Sequence, residues 1–181
     1  MAAGSNDTIR TAPSLDRRPG FGQAEPVTDP HWPDVRRFLD VEVMGALPDG
    51  HVPLTAVQDW RALLDLVVSR GWPHSYVADG EPGPPPSVEA MLGGTGVLRV
   101  WPEPGCQVNF WPLEPGSIDF DIDLRELRGQ RGVEALCRLF ATLGRHLGKP
   151  VLLCPEGDDR PVLAFDLGAD RVVVVPGAGT V

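Results

Sequence analysis

The chain has 181 residues, 42% of them apolar and 23% charged, which suits one folded domain with a full core and excludes wholesale disorder. Acidic residues outnumber basic ones 25 to 16, a formal charge of −9 with a pI near 4.8. That balance argues against sequence-independent binding to nucleic acid or to an anionic membrane surface, because both need a positive footprint.

Cys106, Cys137 and Cys154 are scattered, with no C-x-x-C pair, and read as reduced thiols rather than a disulfide framework. Lysine occurs once, at Lys149, so arginine carries nearly all the positive charge. With 21 Gly and 20 Pro, this is the usage expected of a GC-rich bacterial genome. No signal-peptide pattern and no apolar run of about eighteen residues stands out, so the expected location is the cytoplasm.

Residues 1 to 30 show no hydrophobic period and are rich in Gly, Pro, Ser and Thr. They are expected to form a disordered leader ahead of a single domain over 31–181. Leu39, Val41 and Val43 then alternate with Asp40 and Glu42, the period-two pattern of a half-buried strand. The following ALPDGHVPL reads as turn and loop. Thr55 and Gln58 have capping-box spacing ahead of a helix whose apolar face holds Ala56, Val57, Trp60, Leu63, Leu64, Val67 and Val68. Gly71 and Pro73 stop it, and a short strand at 75–79 follows.

Residues 80–96 read as a loop in which Ser87 caps one helical turn through Leu92. Gly93, Gly94 and Gly96 lack the Lys-Ser or Lys-Thr of a phosphate loop and are read as punctuation. Three strands joined by Pro-Gly turns come next, at 97–101, 107–111 and 117–124, and such short connections imply antiparallel pairing. A second helix at 132–147 carries the stripe Val133, Leu136, Cys137, Phe140, Leu143 and Leu147. Strands at 151–154, 161–166 and 171–175 close the chain, the last two as a hairpin.

The fold class is therefore α+β: a mostly antiparallel sheet with two main helices packed on one face. Its order of helix, three-strand meander, helix and two strands, over roughly residues 55–175, resembles that of small secretion-chaperone folds. The resemblance is one of topology, and it implies an acidic binding module.

The segment Ser117-Ile-Asp-Phe-Asp-Ile-Asp-Leu124 is the most distinctive feature. On a strand it projects Asp119, Asp121 and Asp123 to one face and Ile118, Phe120, Ile122 and Leu124 to the other. Three such carboxylates suit a solvated face, a basic partner, or a hard cation such as Mg²⁺. Asp-x-Asp on a strand also resembles the metal-binding pair of nucleotidyltransferases. There, however, a Gly-Ser lies about ten residues upstream on a turn into a helix, whereas here Gly116-Ser117 directly precedes the aspartates.

Four of the five tryptophans precede proline, and these are expected to seal the core rim beside turns, with Trp101 and Trp111 at opposite ends of the sheet. His31, His51, His74 and His146 lack metal-ligand spacing, and no nucleophile motif accompanies the cysteines.

The leading expectation is a small, acidic, cytosolic protein-binding module without catalytic activity. It would neutralise or chaperone a basic protein, as an immunity protein does, through Asp119, Asp121, Asp123 and Glu126, with no cofactor, metal, nucleic acid or membrane involved. The alternative is a Mg²⁺-dependent phosphoryl or nucleotidyl transferase using Asp119, Asp121 and Asp123.

Overall fold

The computed structural model describes residues 29–176. The expected leader falls outside the described residues except for Asp29 and Pro30. Of these, Asp29 is tied into the fold: its Oδ1 accepts the backbone N–H of Val172 at 3.3 Å.

The elements run α1 (Trp32–Val35), α2 (Val41–Met44), β1 (Asp49–Pro53), α3 (Val57–Ser69), β2 (His74–Ala78), β3 (Glu81–Gly83) and α4 (Val88–Leu92). They continue as β4 (Val97–Glu103), β5 (Cys106–Trp111), β6 (Ser117–Ile122), α5 (Gly129–Leu147), β7 (Val151–Cys154), β8 (Leu163–Asp166) and β9 (Arg171–Val174). All nine strands among the described residues join one antiparallel sheet in the order β3-β2-β4-β5-β6-β1-β7-β8-β9. The fold is α+β, and the meander and the C-terminal hairpin stand where the sequence pattern puts them.

The structure corrects three of the expectations. Within the expected loop at 80–96, Glu81–Gly83 form the edge strand β3, paired antiparallel with β2. The alternation at 39–43 is helical turn, not strand. Val35, Phe38 and Leu39 are buried together at helical spacing, while Val41 and Val43 are exposed. Asp40 caps α2 by accepting the N–H of Glu42, so its polarity serves a helix start rather than a strand's outer face.

The supposed loop ALPDGHVPL contains β1, which lies between β6 and β7 near the middle of the sheet. Only Val52 brings an apolar side chain from β1 into the core. The other inward position is Gly50, where an added Cβ would sit 2.1 Å from the Phe120 ring. A strand with so little apolar content carries no periodic signal.

Helix α3 starts at Ala56 rather than Thr55, and Asp59 reaches back to accept the Ala56 N–H at 2.8 Å. Its buried face is Trp60, Leu63, Leu66 and Val67, while Val68 faces solvent. Ser87 caps α4 by accepting the N–H of Ala90. Helix α5 buries the expected stripe except Leu147, which is partly buried, and ends at Gly148 in the left-handed conformation.

Alternation along the strands divides the sheet into a buried and an open face. Phe110, Phe120, Ile118, Ile122, Val52, Leu153 and Phe165 are all on the buried side. Helix α5 lies across that side, with Phe140 edge-on to Phe120 at 6.0 Å and Gly144 against Phe165; α3 packs beside α5. On the other side, Asp49, His51, Asn109, Trp111, Asp119, Leu152, Ala164 and Val173 remain exposed or half-buried.

Candidate functional site

The open face is organised by cross-strand register. Asp119 of β6 pairs with Trp111 of β5 on one side and with His51 of β1 on the other. Asp121 likewise stands between Asn109 and Asp49. Sequence reading finds the outward alternation of β6 but not these neighbours, because β1 does not read as a strand.

The four predicted residues do not act as one cluster. Asp121 is 9% exposed and is the one buried charged residue among the described residues. Its Oδ1 accepts from Asn109 Nδ2 at 2.6 Å and its Oδ2 accepts from the Trp111 indole Nε1 at 2.7 Å. Gln107 Nε2 in turn donates to Asn109 Oδ1 at 2.9 Å, so the outward side chains of β5 form a ladder ending on Asp121. Asp119 accepts the Ser117 hydroxyl at 2.6 Å and is half-buried.

Asp123 lies beyond the end of β6, where Arg125 donates to it from Nε at 2.8 Å and Nη2 at 2.7 Å. That guanidinium holds the Asp123 carboxyl below its usual range. Glu126 accepts the N–H of Gln107, at the end of β5 away from Trp111. Asp119 and Asp121 therefore belong to the open face, and Asp123 and Glu126 to the connection into α5. No three His, Cys, Asp or Glu residues among the described residues gather in a group able to hold a metal ion.

The buried Asp121 changes the expected effect of neutralising the strand. Treated as a solvated face, Asp119, Asp121 and Asp123 changed together to Asn should leave stability equal or slightly higher. Asp121→Asn alone is expected to destabilise by about 1–3 kcal/mol, because its amide N–H₂ would face another donor, Asn109 or Trp111. Asp119→Asn should stay within about 0.5 kcal/mol. Urea denaturation of the two variants checks the contrast.

The missed residues are those around Trp111. Trp101 and Trp111 do stand toward opposite ends of the sheet, as the register of β4 with β5 requires. Trp111, though, does not seal the core: it is 38% exposed, beside Leu113 at 70%. Together with Asp49, Gly50, His51, Asp119 and Phe120 they line a depression of about 270 Å³. The outward Q-x-N-x-W alternation of β5 is the signal that could have located it.

Cysteine nucleophiles find no support. Burial pushes the thiols of Cys106 and Cys154 up to about 11 and that of Cys137 up to about 12, so thiolate is scarce at neutral pH. None of the described helices is long and apolar enough to cross a membrane. No family model, no curated protein and no solved structure matches this chain.

Proposed function

We propose that the protein is a binding module that receives a basic protein on the open face of its sheet, in the manner of an immunity protein or a chaperone-like partner. The observation that carries this reading is the placement of Trp111. Its indole is fixed by Asp121, yet its ring remains exposed beside Leu113 and next to the carboxylates Asp119 and Asp49. A pre-positioned aromatic loses little entropy on docking and is the residue type that dominates interface energetics. The adjacent carboxylates speed encounter with a cationic surface and fix its orientation.

The test uses three baits in a native lysate: the unmodified chain, Trp111→Ala, and the double variant Asp49→Asn with Asp119→Asn. A partner of high pI should be captured by the unmodified chain and lost with Trp111→Ala. With the double variant its affinity should fall and depend less steeply on salt. Capture that is the same for all three baits would overturn the reading. Millimolar Mg²⁺ should leave the melting temperature unchanged. A stabilisation that disappears in Asp119→Asn would favour the metal-dependent transferase instead.

A further inference from the structure

A second cleft, of about 600 Å³, is formed by residues of α1, the turn from α1 into α2, the start of α2 and the β6–α5 connection. Four arginines line it, Arg36, Arg37, Arg125 and Arg128, together with the acidic residues Asp40 and Glu42. In a chain with a formal charge of −9 this is a local reversal of sign. Arg125 is committed to Asp123, and Asp40 caps α2. Arg36, Arg37 and Arg128 take part in none of the ion pairs among the described residues. The Arg37 guanidinium rests 4.5 Å from the centre of the Phe38 ring, which restricts it without neutralising it. The walls behind these groups are apolar: Leu39, Leu124 and Leu127 are buried, and Trp32 is half-buried.

We propose that this cleft binds a small organic phosphate whose body is flat and apolar. A guanidinium fork engages two oxygens at once. Three guanidinium groups here lack a carboxylate partner, and that of Arg128 is steadied by its Nε–H donating to the Arg125 carbonyl at 3.0 Å; together they match the doubly charged, three-oxygen end of a phosphate monoester better than the single charge of a carboxylate. The aromatic and aliphatic walls accept the body, and the volume lies within the range of small-molecule sites. The site is separate from the open face around Trp111 and does not depend on what docks there.

The experiment titrates the full ¹⁵N-labelled chain with phenyl phosphate and follows the arginine Nε–H signals. Benzoate and inorganic phosphate serve as comparison probes. The signals of Arg36, Arg37 and Arg128 should shift along one saturation curve, while those of Arg61, Arg145 and Arg160, paired elsewhere, stay in place. The double variant Arg36→Gln with Arg37→Gln should weaken binding by about tenfold or more. Arg36→Lys with Arg37→Lys keeps the charge but loses the fork, and should fall between. Both arginines are exposed, so the fold should survive either change. Inorganic phosphate binding as tightly as phenyl phosphate would mean an adventitious ion only and would overturn the proposal. Equal binding of benzoate, or shifts spread evenly over all arginines, would overturn it as well.

Discussion

Phe140→Ala is expected to destabilise the protein by about 3–5 kcal/mol, the largest effect of any substitution considered. Phe140 is fully buried at the centre of the α5 stripe and meets Phe120 edge-on, with ring centroids 6.0 Å apart and planes at 87°. Truncation removes that contact and opens a cavity between helix and sheet, where the neighbours are too closely packed to collapse into it. Arg138→Ala provides the contrast on the same helix. Its guanidinium makes two hydrogen bonds to Glu103, at 2.6 and 2.8 Å, but the arginine side chain is 55% exposed. Such a pair contributes well under about 1 kcal/mol. Urea denaturation measures both, and similar losses would show that the helix faces the sheet differently.

Gly50→Ala should cost roughly 1–3 kcal/mol despite adding a single methyl group. The new Cβ would lie 2.1 Å from Cε2 of Phe120. That ring is itself held between Phe110, at 5.4 Å, and Phe140, so it has nowhere to turn. Because β1 pairs with both β6 and β7, the displacement would reach either side of the sheet. Gly83→Ala, in the edge strand β3 with open space around the position, should stay within about 0.5 kcal/mol. A harmless Gly50→Ala would contradict the close approach of Phe120 to the β1 backbone.

The same position explains where the fold was legible and where it was not. Helix α5 could be read because its apolar residues recur at helical spacing and Gly148 and Pro150 end the pattern. The meander could be read because Pro-Gly turns punctuate it. Strand β1 was hidden: Asp49, Gly50 and Pro53 are loop-forming residue types, and tertiary packing under Phe120 outweighs that preference. The segment 39–43 misled in the opposite sense, since Asp40 and Glu42 mimic strand alternation while serving a helix start.

The candidate site divides along the same line. Asp119 and Asp121 were visible from the alternation of β6, a property of one segment. That Asp121 is buried under Asn109 and Trp111, and that His51 stands beside Asp119, depends on cross-strand register, which no single segment carries. The arginine cleft was missed for a related reason: Arg36 and Arg37 meet Arg125 and Arg128 only after the chain has crossed the sheet.

Hydroxyl-radical footprinting of the complex, prepared with a captured basic partner, tests the binding face most directly, because it reads side-chain exposure residue by residue. Trp111 and Leu113 are the exposed apolar groups beside the carboxylates, so both should lose reactivity on complex formation. Val43 and Val68, exposed on α2 and α3, should keep theirs. Undiminished modification of Trp111 and Leu113, with protection at Val68 instead, would place the partner on the helices and contradict docking on the open sheet.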